Sequence, residues 1–194
     1  MGHTRARRLA AALAVGLIGA GGAGVAMAQG GLNAGLALSG TIFKVTMGNA
    51  NGTNFSLFVD SDALGDQGDI PVSRLHFGEV TASNLCLSAK LGDIPGVGDV
   101  SFKLTADGED TVHGNNLVVG AKVLQGDLTL QRPTLGADVS QRNPAAPPGS
   151  WGLVTDHINV QARNIDATSL ASDDLTVQNV SVTIERGDNN VCVT

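Results

Sequence analysis

The chain has 194 residues, a formal charge of −6, a single Trp, five Phe and no Tyr. Phosphate recognition needs clustered Lys and Arg, so the acidic balance argues against nucleic-acid partners. The shortage of aromatic rings removes the stacking platforms that sugar clefts and single-strand grooves use. One domain is the expectation from length. The acids number 18, of which only Glu79, Glu109 and Glu185 are Glu, and there are 26 Gly. Asp favours turns and caps while Glu favours helices, so this skew predicts short strands joined by tight turns.

Residues 1–28 read as a signal peptide. Arg5, Arg7 and Arg8 give the positive start, Leu9 to Val25 is uncharged, and Ala26-Met27-Ala28 fits small-x-small cleavage. Cleavage after Ala28 would remove those three arginines and take the charge from −6 to −9. The mature chain, 29–194, is then a single β-rich domain that is exported, either extracellular or held at the cell envelope. The alternative is an uncleaved membrane anchor over residues 9–28, which is about the 20 residues a bilayer span needs. Arg7-Arg8 hints at the twin-arginine route without the rest of that motif.

Leu36 and Leu38, then Phe43, Val45 and Met47, predict a first strand with a change of phase at Gly40-Thr41. Gly48 to Asn54 reads as a turn, with Phe55, Leu57 and Val59 as the next strand. Asn51-Gly52-Thr53 matches a glycosylation acceptor, a pattern too short to weigh. Asp60 to Asp69 is the most acidic segment, but it lacks the third ligand and the closing Glu of an EF-hand and reads as a solvated loop. Strands are expected within Leu75 to Leu104, interrupted by a connection at Leu91 to Asp99, and Ala106 to Asp110 is a further turn. Leu117, Val119, Ala121 and Val123 alternate, a turn is expected at Gly126-Asp127, and Leu128 and Leu130 follow. Asn143 to Gly149 carries three of the six prolines and predicts a stiff exposed loop leading to Trp151, which is expected to plug the core.

The stretch Asp156 to Glu185 gives strand after strand. Ile158, Val160 and Ala162 alternate with polar residues, as do Leu175 and Val177, then Val180, Val182 and Ile184. The apolar phase changes between Ala162 and Ile165 and again between Val177 and Val180. A bulge or turn is therefore expected near Asn164 and near Gln178–Asn179. The predicted fold is all-β: a two-layer sandwich or an elongated curved antiparallel sheet, with an N-terminal signal or anchor helix. A parallel β-helix is the alternative, its corners placed at the phase changes.

Cys86 and Cys192 are the only cysteines, and in an exported chain two cysteines are expected to pair. His76, His113 and His157 are far apart in sequence, with no His-x-His or H-E-x-x-H pair, so no metal site is expected and no cofactor is implied. A serine hydrolase needs an activated nucleophile, and no G-x-S-x-G elbow occurs. Gly126-Asp127-Leu128-Thr129 shares only its first two letters with the GDSL signature. No catalytic residue is assigned.

AMAQG at Ala26–Gly30, SGTIFKV at Ser39–Val45, NLC at Asn84–Cys86, GDVSFKLTADG at Gly98–Gly108 and VSVTIERGDNNVC at Val180–Cys192 resemble an actinobacterial family of small exported proteins of unknown function. Some members carry the label cholesterol esterase. The resemblance spans nearly the whole mature chain and rests on strands, turns and cysteines, so it implies a shared fold and supplies no catalytic residues. The resulting expectation is an exported envelope or extracellular protein in a binding or structural role, with lipid, sterol or a membrane surface as its most concrete contact. A cholesterol or lipid ester hydrolase is the second reading.

Overall fold

The structure is a computed structural model and describes residues 41–64, 68–94 and 98–192. The expected signal segment and the Leu36–Leu38 strand start lie outside the described residues. Nine strands follow one another: β1 Phe43–Ala63, β2 Asp69–Ser83, β3 Leu85–Ile94, β4 Gly98–Ala106, β5 Val112–Gln131, β6 Thr134–Asp138, β7 Trp151–Ala171, β8 Asp174–Val177 and β9 Val180–Arg186. Among the described residues there is no α-helix, only a 3-10 turn over Val139–Gln141.

All nine strands join one sheet, in the order β6-β7-β5-β2-β1-β3-β4-β9, with β8 added to β5. Every ladder is antiparallel. The all-β and antiparallel expectations hold, and the parallel β-helix is corrected: a solenoid stacks its strands in parallel, and none of these pairings is parallel. The pairing also gives one continuous sheet rather than two, because β7 bonds to β1 as well as to β5. The ring β1–β2–β5–β7–β1 therefore closes on itself and removes the edges of its four longest strands.

Length makes this closure possible. At 21 residues, β1 and β7 run well past the usual strand of about 3–10 residues. Each therefore changes partner along its course. On one side β1 pairs with β3 at Phe43–Thr46 and then with β2 from Asn49 onward, while β7 runs along its other side.

The long strands correct two expected turns. Gly48 to Asn54 lies inside β1, and Gly126-Asp127 lies inside β5. The glycines serve close packing there instead of reversal. A Cβ on Gly52 would come 2.6 Å from the Phe77 ring, and one on Gly126 would collide with the Gln161 carbonyl. Asn54 and Asn116 take left-handed backbone at φ +49. At that level the inward face changes parity: Ala50 and Phe55 are both buried in the core, as are Val80 and Phe77, and Val112 and Val119. On β1 and β5 that left-handed residue rotates the strand so that an odd spacing still points inward. The Phe55 and Phe77 rings meet just past the switch, centroids 4.9 Å apart.

The expected phase changes later in the chain are present. The β5–β7 register skips a residue between Asn164 and Ala162, and Asn179, at φ +53, separates β8 from β9. Trp151 is corrected: it is 62 % exposed and plugs nothing. The loop before it supplies the plug instead. Asn143 and Ala146 are buried, and Ala146 packs with Phe58, Val139 and Val154 in a small second core outside the ring.

Two polar assemblies fasten the ends. Beyond β9, the tail crosses the polar face of β3, β4 and β9, where Lys90 pairs with Asp188 at 2.6 Å and Asn190 bonds to Thr183. There the Cys86 and Cys192 sulfurs stand at disulfide distance, their Cα atoms 5.9 Å apart. At the β1–β2 hairpin, Arg74 donates to Asp60 at 2.9 Å, to Asp62 at 2.7 Å and across the sheet to Ser169 at 3.0 Å. Gly120 lies between Arg74 and Ser169 in the ladder, and a Cβ there would collide with the Asp62 carboxylate. Asp60 and Asp62 thus serve a half-buried ion cluster instead of a solvated loop.

Candidate functional site: an apolar cavity reaching the sheet edge

Alternating Leu, Val and Ile put one apolar side chain inward every second residue on each strand of the ring. They do not fill the space they enclose. A cavity of about 150 Å³ remains inside, lined from seven strands by 19 residues, all of them apolar. Ala50 and Ala82 leave room where larger side chains would meet, and Leu124, Val160 and Ile165 close the far side. Leu175 of β8 both lines the cavity and is 45 % exposed, so the lining reaches the surface there.

The register extends this lining along one row and runs a second apolar row beside it. The first runs Leu124–Ile165–Val45–Leu87–Leu104–Val182, each residue directly opposite the next across β5, β7, β1, β3, β4 and β9. Its first five members line the cavity, whereas Val182 is 52 % exposed. The second runs Ala167–Phe43–Ala89–Phe102–Ile184, from full burial at Ala167 to 66 % exposure at Ile184. An apolar surface that is core at one end is therefore solvent-facing at β9.

Such a site has simple chemistry. With no hydrogen-bonding side chain in the lining, it can hold hydrocarbon and cannot orient a polar group. An engineered apolar cavity of about 150 Å³ stays dry and takes up benzene. Drug-sized ligands need about 300–1,000 Å³, so a whole sterol is too large and the end of an alkyl chain is the matching shape.

A second hollow of about 310 Å³ lies on the polar outer face, between Asn51, Thr53, Glu79, Gln131, His157 and Asn159. Asn159 bridges Asn49 and Asn51, donating to their side-chain oxygens at 2.6 and 2.7 Å.

The three histidines are not brought together. His113 is exposed on β5 opposite Thr81, its Nδ1 3.4 Å from the Thr81 hydroxyl, and His157 is exposed on β7 opposite Thr53. His76 is half-buried on β2 opposite Ser56, and burial lowers its pKa against the weaker opposing pull of Asp173. Ser56 is only 2 % exposed, and its hydroxyl accepts a bond from the Asn143 amide at 3.2 Å. The two cysteines, by contrast, do meet.

Sequence reasoning missed the lining as a set. The alternation marks each inward residue, but the partners that turn them into rows lie far apart in the chain, as Phe43 and Ala167 do. The small residues Ala50 and Ala82 carry no signal of their own.

Fold and cavity together define a class: an antiparallel β protein whose ring of long strands encloses a polar-free hollow. The chain belongs to a family of unknown function, DUF6230, whose match covers residues 39–193. No curated protein and no solved structure matches it.

Proposed function

We propose that this is an exported, non-catalytic protein of the cell envelope that binds a single hydrocarbon chain in the hollow of its strand ring. The polar-free cavity carries this reading, because a filled core is the ordinary use of such a face and here the face is not filled. Export is supported by the signal-like residues 1–28 and by two cysteines at bonding distance, an arrangement favoured in oxidising compartments. Lipid is the hydrocarbon an envelope offers.

A second reading, ester hydrolysis, has one observation in its favour: Ser56 stands directly across the ladder from His76. Against it, the serine is buried and its oxygen is engaged by the Asn143 amide rather than by His76. The test is to purify the protein from its host, identify co-purifying lipids by mass spectrometry and assay the same sample for esterase activity. A stoichiometric single-chain lipid without turnover supports the binding reading. A lipid-free protein that hydrolyses esters overturns it.

A further inference from the structure

The edge strand β9 is unusual in what it exposes. Edge strands are normally blunted by charge, proline or a bulge, yet Val180, Val182 and Ile184 share one outward-open face of β9 with an unbroken register to β4. Arg186 is next on the same face, since side chains two apart on a strand point the same way. Among the described residues no carboxylate pairs with Arg186. In order from the cavity, the face thus offers Leu104, Val182, Ile184 and then a cation.

We infer that β9 is the outer half of the chain site and that the ligand class is a long-chain fatty carboxylate. The methyl end occupies the cavity, the middle lies along Val182 and Ile184, and the carboxylate meets Arg186. The cavity is too small to hold a whole long chain, so the rest must leave it. Val180, Val182 and Ile184 are all exposed and in register with inward residues of β4. Val182 and Ile184 are the two on the side of Arg186, where the guanidinium stands at the end of such a chain. An Arg fork matches a carboxylate in two parallel hydrogen bonds. This inference rests on the chain-binding reading and adds the chain's path and its head group.

The experiment is calorimetric titration of the purified protein with straight-chain fatty acids of increasing length and with the corresponding alcohols. Three forms are compared: the wild type, the Val182→Thr/Ile184→Thr double variant, and Arg186→Gln. In the wild type, affinity should rise about fourfold per added methylene, the factor that about 0.8 kcal/mol per buried CH₂ gives. In the double variant the shortest chains should bind as before, and the gain per methylene should disappear for the longer ones. Arg186→Gln should weaken fatty acids roughly tenfold and leave the alcohols unchanged, as loss of a charge-assisted bond of about 1.5 kcal/mol does. All three positions are exposed, so thermal melts should coincide and folding is not in question. Chains that bind all three forms alike would overturn the β9 path and leave the cavity reading standing. No binding of any chain to the wild type would sink both. A dimer that the double variant dissolves, with no dependence on chain length, would assign the strip to a second copy of the protein.

Discussion

Leu104 and Val182 face each other across the β4–β9 ladder, one lining the cavity and the other open to solvent. Cross-strand neighbours on one face normally share a burial class, because the same layer covers both. Here the covering layer ends between them. That boundary leaves an exposed apolar strip on β9 in register with the lining of the hollow.

Filling the hollow should separate stability from binding. Ala82 is buried and lines the cavity, so Ala82→Leu places three further carbons in empty space. Cavity-filling changes commonly add about 0.5–2 kcal/mol. The expected outcome is a raised urea midpoint together with loss of fatty-acid binding. A fall of about 1–3 kcal/mol, the range for overpacking, would mean that the space is already occupied by protein.

Cys86 and Cys192 are 106 residues apart, and the tail that carries Cys192 is otherwise held by a few polar contacts. In the chain-entropy model a crosslink over such a loop contributes about 4–5 kcal/mol. Protein purified from its host and denatured without reductant should expose no alkylatable thiol. The Cys86→Ser/Cys192→Ser variant should lose stability of that order, and hydrogen exchange should rise first in β9, the edge strand beneath the tail.

Two groups make the fold acid-sensitive in separate pH windows. Burial pushes His76 below its ordinary value of 6.5, so the unfolded chain takes up the proton first and stability falls as pH drops through 6.5 toward the lower, folded value. Burial would raise Asp62, but bonds from Thr168, Ser169 and Arg74 outweigh it and hold the carboxyl below 3.8. Its contribution is present above that value and is lost as pH falls through the lower, folded one. Melting temperature against pH should therefore decline in two steps. His76→Gln should erase the upper step. Asp62→Asn should lower stability at neutral pH and shrink the lower step, to which Asp138 and Asp156, also held below the usual carboxylate range, contribute as well.

Catalysis by a serine should be absent. The purified protein should not be labelled by a fluorophosphonate probe, and any trace ester hydrolysis should survive replacement of His76, His113 and His157 by Ala. Removing a member of a working triad costs several orders of magnitude in turnover. Stoichiometric labelling of Ser56, abolished by His76→Ala alone, would restore the hydrolase reading.

Much of the architecture is legible along the chain. Alternation locates the inward residues, and the phase changes at Asn164 and Asn179 coincide with a bulge and a left-handed turn. Glycine misleads. Gly52 and Gly126 look like punctuation, yet they sit mid-strand because a neighbouring side chain or backbone passes too close for a Cβ. Trp151 misleads in the other direction, since its bulk suggests burial while Ala146 from the preceding loop takes the buried position. The site itself is a property of pairing. Val45, Leu104 and Val182 become one row only when β1, β3, β4 and β9 are in register, and no local pattern encodes that.

The most direct measurement is methyl NMR of the protein, with Leu, Val and Ile labelled, as a straight-chain fatty acid is added. If the chain enters the ring, the methyls of Leu124, Val160 and Ile165 should shift in saturable, one-to-one fashion, together with those of Leu104, Val182 and Ile184. Shifts confined to exposed methyls such as Leu135 and Val59, with Leu124, Val160 and Ile165 unmoved at saturating ligand, would contradict the account.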